Sequence, residues 1–276
     1  MHKSHNSACK DTKLFAFLQI FPYLCVKNHL FLRNMTQNEL KQLQKLHLKK
    51  YRDELGLFVA EGDKCISELA GAFEMVHHLT PADTPMKDIE RLSSLRTPQG
   101  SIAVFRKPDY GATLAVQPDT LYLALDDVQD PGNLGTIIRT ADWFGIRDII
   151  CSTGTADCFS PKVVQATMGS LARVRVHYTN LPDRLAALRA QQPAIPIYGT
   201  LLDGKNLYAA DAIPDRRSGI IVMGNEGNGL SQAVRRMITH SLRIPSFPPD
   251  NPTAESLNVA IATAIIFAEF RRIRGV

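Results

Sequence analysis

Cysteine and histidine are too few and too scattered in this chain to suggest metal chemistry. The five cysteines form no Cys-x-x-Cys pair, and none has a zinc-site spacing with the eight histidines. The adjacent His77 and His78 lie in an apolar stretch that predicts a strand, where neighbouring side chains point to opposite faces. We therefore expect reduced thiols, a cytoplasmic protein and no metal site.

Net positive charge is also small outside the first 34 residues. The formal net charge is +5, of which residues 1–34 supply +4. A case for nucleic-acid binding must therefore rest on local clusters. The best cluster lies on a predicted helix that runs to about Tyr51, and its cations are Lys41, Lys45, Lys49, Lys50 and Arg52. A solvated helix face is the alternative, because Asp53 and Glu54 follow at once.

The chain has no hydrophobic run long enough to span a bilayer. Residues 14–26 are apolar, but the run is only about 13 residues long, Gln19 and Pro22 interrupt it, and no small-x-small cleavage site follows. From Thr36 the pattern changes to a capping box with Glu39, followed by an apolar stripe of Leu40, Leu43, Leu46 and Leu48. We expect the natural product to begin at Met35, with residues 1–34 an extension.

The rest of the chain divides into two α/β units. Residues 35–107 alternate helix and strand in a small domain, and residues 108–119 form a linker with two prolines and a glycine. Residues 120–276 then repeat strand and helix several times. That alternation predicts a mainly parallel sheet with helices on both faces.

Three segments of the larger domain contain polar residues and glycines that indicate a binding site and not only a hydrophobic core. The apolar run 121–125 is followed by Asp130-Pro131-Gly132 and a helical pattern, which places Asn133 at the expected N-cap and Arg139 within the helix. Residues 219–231 form a strand that ends in a loop rich in glycine, which lets a backbone close around a ligand.

The third segment covers residues 243–270. It predicts a short strand, a proline-rich loop and a long helix that opens at Thr253 or Ala254, with Ser256 and Asn258 in its first turns. The predicted buried stripe of that helix consists of Leu257, Ile261, Ala264, Ile265 and Ala268.

Taken in order, these segments closely resemble the three motifs of the SpoU (TrmH-like) branch of the SPOUT RNA methyltransferases. The resemblance rests on Asn133 and Arg139, on Asn225-Glu226-Gly227, and on residues 255–259, and it covers about residues 120–274. It implies a SPOUT sheet with a C-terminal trefoil knot and a homodimer in which the last helix and the Asn133 helix pack across the two-fold axis. Residues 35–108 resemble, less specifically, the small substrate-binding domain that precedes many members.

The resemblance also implies the chemistry. Such enzymes transfer a methyl group from S-adenosylmethionine to a ribose 2′-hydroxyl of RNA without a metal, and the small domain favours ribosomal over transfer RNA. The segments implied to hold the cofactor are Thr200-Leu201, Gly224 with Asn225, Gly227 and Gly229, Ile244-Pro245, and Leu257. Arg139 would hold the target phosphate and stabilise the developing alkoxide, since a guanidinium stays protonated. The residues implied to position the ribose and Arg139 are Asn133, Glu226, Ser256 and Asn258.

Plainer roles stay open for these residues. Asn133 and Ser256 could cap helices, Glu226 could pair with Arg139, and the glycines could serve only a tight turn. A nicotinamide-binding Rossmann enzyme is disfavoured, because no Gly-x-Gly-x-x-Gly follows the first strand. A transfer RNA methyltransferase and an RNA-binding paralogue without activity remain as alternatives.

Overall fold

The computed structural model describes residues 36–98, 100–111, 114–248 and 254–272. The expected extension and start at Met35 lie outside these ranges, so they stay predictions. Within the described part of the chain, no helix is long and apolar enough to cross a membrane.

The small domain is an α/β unit, as the pattern predicts. Its strands form an antiparallel sheet in the order β1-β3-β2. The predicted capping box is present, because Glu39 N–H bonds to the Thr36 hydroxyl and the Glu39 carboxylate accepts from Thr36 N–H. The elements are α1 (Gln37–Gln44), a 3-10 turn (Lys45–His47), α2 (Lys49–Leu55), β1 (Leu57–Glu61), α3 (Asp63–Ala70), β2 (Met75–Leu79), α4 (Met86–Leu92) and β3 (Ile102–Arg106).

The predicted single basic helix is instead two helices with a break at Leu48. That residue has an extended backbone (φ −98°, ψ 132°), so the helical phase restarts and Leu48 is exposed rather than part of the buried stripe. Arg52 is turned inward and is only 3% exposed. Its guanidinium bonds to the Asp157 carboxylate and the Leu46 carbonyl. Arg52 therefore does not belong to the exposed basic surface.

The larger domain contains a six-stranded, wholly parallel sheet in the order β6-β5-β4-β8-β7-β9, which confirms the predicted fold class. The trefoil knot stays a prediction. One short helix, α8, was not predicted from the sequence. The elements are β4 (Leu121–Leu125), α5 (Pro131–Trp143), β5 (Asp148–Ser152), α6 (Pro161–Thr167), β6 (Arg175–Thr179), α7 (Leu181–Gln191), β7 (Ile197–Asn206), β8 (Gly219–Met223), α8 (Gln232–Arg235), β9 (His240–Arg243) and α9 (Val259–Arg271).

Helices cover both faces of this sheet. Along β4, Leu121, Leu123 and Leu125 pack into one apolar cluster, whereas Tyr122 and Ala124 pack into another. The first cluster contains buried side chains of α5, α6 and α9, and the second contains those of α7 and α8. This alternation explains why β4 reads as a continuous apolar run, since a strand buried on both sides needs apolar residues at every position.

The two domains share a tightly packed contact. Phe159 of the larger domain lies against Phe58 (4.8 Å between ring centroids) and Phe73 (6.4 Å) of the small domain. The Arg52–Asp157 ion pair, at 2.7 Å, crosses the same boundary and is almost fully buried. Breaking one partner of a buried pair leaves an uncompensated charge, so this pair fixes how the domains fit together.

The last helix begins later than predicted and buries a different face. Asn258 is the N-cap, and its Oδ1 accepts hydrogen bonds from the N–H groups of Ala260 and Ile261. The residues that face the core are Val259, Ala260, Thr263, Ile266, Phe267 and Phe270. Of the predicted stripe, Leu257, Ile261 and Ala268 are exposed, and Ala264 and Ile265 are half-buried. The helix is apolar on nearly every side, so periodicity alone could not choose its buried face.

Candidate active site

The polar residues of the first two motifs come together because β4 and β8 are neighbours. Leu125 pairs with Met223 at the carboxyl ends of these parallel strands. The chain leaves the sheet there in two adjacent loops, residues 126–130 and 224–230. Ligands of open parallel sheets bind at this edge.

The helix that carries Asn133 starts earlier than predicted. Asp130 is the N-cap, and its Oδ1 accepts a 2.8 Å hydrogen bond from Asn133 N–H. Pro131 takes the first helical position, where its missing N–H costs nothing. Asn133 therefore lies within the first turn, and its side chain is not used as a cap.

One chain of side-chain hydrogen bonds joins all three motifs. Asn133 donates from Nδ2 to Glu226 Oε1 at 3.0 Å. Asn258 donates from Nδ2 to Asn133 Oδ1 at 2.9 Å. Because Glu226 accepts and Asn258 donates, the Asn133 amide can take only one orientation. The three segments, far apart in sequence, thus form one polar site.

Glu226 is the charged end of this chain. Partial burial raises the pKa of its carboxyl, but hydrogen bonds from Asn133 and from the N–H groups of Gln129 and Asp130 outweigh that effect. The net result is a pKa below the ordinary value of glutamate. Glu226 is therefore ionised at neutral pH, with both oxygens accepting hydrogen bonds.

The glycine-rich loop folds back on itself. Asn225 and Gly229 exchange two backbone hydrogen bonds of 2.9 and 3.0 Å. A Cβ on Gly224 would lie 2.3 Å from the Gly229 carbonyl carbon, so no larger residue fits there. Gly229 has φ +66°, which favours glycine. A Cβ on Gly227 would meet nothing closer than 3.7 Å, so the close approach depends on the other two glycines.

Two contacts that sequence reasoning missed attach this loop to the loop after β4. The buried Asp126 accepts a 2.7 Å hydrogen bond from Ser231 N–H through Oδ2. Asn225 Nδ2 donates to the Asp127 carbonyl at 2.7 Å. The available signal was an acid directly after a fully apolar strand, since a buried carboxylate requires a partner.

Arg139 and Ser256 are not joined to this chain of hydrogen bonds. Arg139 is exposed on α5, six residues beyond Asn133 and so about 9 Å along the helix axis. It forms no hydrogen bond or ion pair with any described residue, so the alternative in which Glu226 only pairs with Arg139 is wrong. Ser256 is exposed in the loop before α9, and neither it nor Asn133 caps a helix.

The predicted cofactor segments lie at one edge of the sheet. Gly199 pairs with Val222 and Thr200 pairs with Leu242, so the first half of β7 lies beside the carboxyl ends of β8 and β9. Thr200-Leu201 lies within β7 at this level, and Gly224-Asn225 and Ile244-Pro245 directly follow β8 and β9. Leu257 directly precedes Asn258, which bonds to Asn133. Within the described ranges, no group of three or more potential metal ligands occurs.

Comparison with known families gives two matches along the chain. The sequence profile described as the SpoU rRNA methylase family matches residues 120–268. The profile of the MRM3-like substrate binding domain matches residues 37–87.

Several individual proteins are similar over most of the chain. The 23S rRNA (guanosine(2553)-2'-O)-methyltransferase RlmP of Bacillus subtilis is 32% identical, over 84% of this chain and 96% of that protein. A solved structure of a TrmH-family protein from Porphyromonas gingivalis has a TM-score of 0.78 and 42% identity, covering 87% of this chain and 99% of that one. The solved structure of an AdoMet-bound rRNA methyltransferase from Sinorhizobium meliloti has a TM-score of 0.74 and 33% identity, and the match covers 86% of this chain and 95% of that one.

Proposed function

Because this chain belongs to the SpoU rRNA methylase family, we propose that it transfers a methyl group from S-adenosylmethionine to a ribose 2′-hydroxyl of ribosomal RNA. The observation that carries this proposal is the Glu226–Asn133–Asn258 chain of hydrogen bonds at the carboxyl ends of β4 and β8. The names of the relatives favour ribosomal RNA, since the Bacillus subtilis protein is named as a 23S rRNA 2'-O-methyltransferase.

The chemistry of the cofactor segments suits S-adenosylmethionine. Leu201, Ile244 and Leu257 offer partly exposed apolar surface for the adenine ring. The loop that starts at Gly224 offers main-chain polar groups and brings no charged side chain except Glu226. When bound, this cofactor supplies an electrophilic methyl group on a sulfonium centre. A pocket built from main chain and apolar side chains fits such a ligand.

The side chains of the site orient the acceptor rather than act as bases. The hydrogen bonds that lower the pKa of Glu226 also make it a weaker base, so we assign this carboxylate to holding Asn133 rather than to accepting the proton. We assign Asn133 and Asn258 to positioning the ribose of the acceptor nucleotide by hydrogen bonds. Arg139, which is exposed and unpaired among the described residues, is available for the target phosphate and for the negative charge that develops on the 2′-oxygen. Ser256 lies beside Leu257, where it can contact the substrate or the cofactor.

A homodimer is part of this proposal. Helices α5 and α9 pack on each other and leave apolar side chains exposed on their outer faces: Trp143 (85%), Ile261 (53%) and, just before α9, Leu257 (51%). A dimer formed through these helices would remove such side chains from water. The exposed part of α5 also includes Arg139, so such an interface would bring Arg139 of one subunit towards its partner.

The exposed cations of the small domain extend the proposed RNA contact. Lys41, Lys49 and Lys50 are exposed and Lys45 is half-buried, on α1, α2 and the turn between them. Lys45 and Lys50 also lie over the Tyr51 ring, at 5.2 and 5.9 Å from its centroid. Cations beside an accessible aromatic ring suit a phosphate backbone with unstacked bases.

The proposal is tested by two measurements. Calorimetry with S-adenosylmethionine in the presence of a chelator should show binding, and mapping of 2′-O-methylated nucleotides should show one ribosomal site that is lost in a deletion strain. A lost transfer RNA site would change the substrate but keep the activity. A folded protein that gives no heat of binding at millimolar ligand would contradict methyl transfer.

A further inference from the structure

A cleft of about 460 Å³ opens between the two domains. Its walls come from α2 and Lys107 of the small domain, from linker residues 108, 110, 111 and 114, and from β5, β6 and α7 of the larger domain. Pockets of ~300–1,000 Å³ hold small ligands or single groups of larger ones. None of the motif residues or cofactor segments lines this cleft, so it is separate from the active site.

The small-domain wall of the cleft carries an excess of positive charge. Lys49 Nζ and Lys107 Nζ each lie 2.5 Å from a carboxylate oxygen of Asp53. Hydrogen bonds and charge from these two lysines outweigh the effect of burial and lower the pKa of Asp53. Lys49 and Lys107 therefore share the single negative charge of Asp53, so this wall has a net charge of about +1 that can attract an anionic ligand.

The opposite wall adds a second positive charge. Arg184 of α7 donates from Nη2 to the Leu114 carbonyl at 2.7 Å, and it forms no ion pair with a described residue. The remaining acid of the wall, Asp157, is neutralised by Arg52 at 2.7 Å. Charges of one sign on both sides of a cleft with protein walls concentrate an anion between them.

An aromatic ring lines the same cleft and is held in place. Tyr178 of β6 is 38% exposed. Its hydroxyl accepts from Cys158 N–H at 2.7 Å and donates to the Ala156 carbonyl. The Tyr178 hydroxyl therefore makes its hydrogen bonds to the protein backbone, while part of the ring is exposed to solvent. A positive groove with a fixed aromatic ring is typical of sites for single-stranded nucleic acid.

One residue connects the cleft to the active site. Ala156 accepts the Tyr178 hydroxyl with its carbonyl, and its N–H donates to the Val128 carbonyl at 2.9 Å. Val128 lies two residues before Asp130, whose N–H bonds to Glu226. An RNA strand in the cleft would thus lie close to residues 126–130, the loop that leads into the helix of Asn133.

We propose that this cleft holds an unpaired segment of the substrate RNA next to the methylated nucleotide, with phosphates near Lys49, Lys107 and Arg184 and a base stacked on Tyr178. This inference rests on the proposed function and names a second contact for the same substrate. Lys49 belongs both to the cleft and to the exposed cations of α1 and α2, so one strand could run from that surface into the cleft.

The test compares two double variants in binding to a fluorescent single-stranded RNA at several salt concentrations. Lys49→Gln/Arg184→Gln removes a cation from each wall. Lys87→Gln/Arg189→Gln removes the same charge from exposed or half-exposed positions outside the cleft. The cleft variant should weaken binding about tenfold and reduce the log–log salt slope by ~1.4, which is ~0.7 for each lost phosphate contact on a single strand. The control variant should keep the wild-type affinity and slope.

A second pair of variants tests the stacked base. Tyr178→Phe keeps the ring and loses both hydroxyl hydrogen bonds, whereas Tyr178→Leu loses the ring as well. If a base stacks there, the leucine variant should bind the RNA about tenfold more weakly than the phenylalanine variant. Thermal melts of all variants show whether each is folded.

Two results would overturn the cleft proposal: a wild-type salt slope in the cleft variant, or equal losses in the two double variants. Stronger competition by duplex RNA than by single-stranded RNA would also count against it. RNA binding is measured without turnover, and S-adenosylmethionine affinity is measured separately by calorimetry. A protein that binds RNA in the cleft but not the cofactor would refute the proposed function alone.

Discussion

Asn133 and Glu226 are 93 residues apart in sequence, yet Asn133 Nδ2 lies 3.0 Å from Glu226 Oε1. The contact exists because β4, which leads into the helix of Asn133, and β8, which leads into the loop of Glu226, are neighbours in the sheet. Glu226 is ionised and accepts from Asn133, so the Asn133 carbonyl is directed to Asn258. A single carboxylate thus sets the orientation of two amides at the candidate active site.

Arg139 should serve the transfer step and not the fold. It is exposed and has no partner among the described residues, so Arg139→Ala should leave the melting temperature and cofactor affinity nearly unchanged. Turnover should fall by ~10²-fold or more, the scale of losing one electrostatic stabiliser. Arg139→Lys should restore little, because a point charge lacks the planar fork. Single-turnover methyl transfer on unmodified RNA measures this, and a wild-type rate in the alanine variant would remove Arg139 from the mechanism.

Gly224 and Gly227 offer a matched pair in one loop. Gly224→Ala would put a Cβ 2.3 Å from the Gly229 backbone, so the loop must open and cofactor affinity should fall at least tenfold. The Cβ of Gly227→Ala would have no neighbouring atom closer than 3.7 Å, so this variant should bind S-adenosylmethionine with nearly the wild-type affinity. Calorimetry with S-adenosylmethionine compares the two. Equal affinities would show that the loop conformation does not shape the pocket.

Glu226 should make stability depend on pH in a defined window. Its pKa in the folded protein lies below the ordinary value of 4.5. The ionised form therefore stabilises the folded state above about pH 4.5, and this contribution is lost as the pH falls through the folded pKa. Glu226→Gln cannot titrate, so the difference in melting temperature between wild type and variant should shrink on acidification. A difference that stays constant from about pH 6 to about pH 3 would contradict the ionised role.

The apolar faces of α5 and α9 should hold two subunits together. Ile261→Asp places a charge on an exposed position of α9, so it should leave the subunit folded but convert a dimer into a monomer in light scattering. Trp143, the only tryptophan, should report the same change as a red shift of its fluorescence. Met86→Asp, at an exposed position on α4, is the control and should leave the dimer intact. A wild-type protein that is monomeric at every concentration would refute the interface.

The sequence by itself determined most of the strands and helices and the general place of the site. The apolar run of β4 predicts a strand buried on both faces, and Thr36 with Glu39 predicts the start of α1, because both features depend on residues close together in the chain. The glycines at 224, 227 and 229 indicated a loop that can close around a ligand, and the structure requires glycine at 224 and 229. The three motifs identified the residues that the structure brings to one edge of the sheet.

Only the tertiary structure decided which partner each polar group takes. Local pattern placed Asn133 at a helix cap, but Asp130 takes that position and leaves Asn133 free to bond to Glu226. Arg52 looked like part of a basic surface, yet a carboxylate 105 residues away, Asp157, draws it inward. Helix α9 is apolar all round, so its buried face was set by the sheet and by α5 and not by its own periodicity. The Asp130 cap is a local contact, but the bonds of Asn133 to Glu226 and of Arg52 to Asp157, and the packing of α9 on α5, join residues distant in sequence. Only the complete fold brings those residues together.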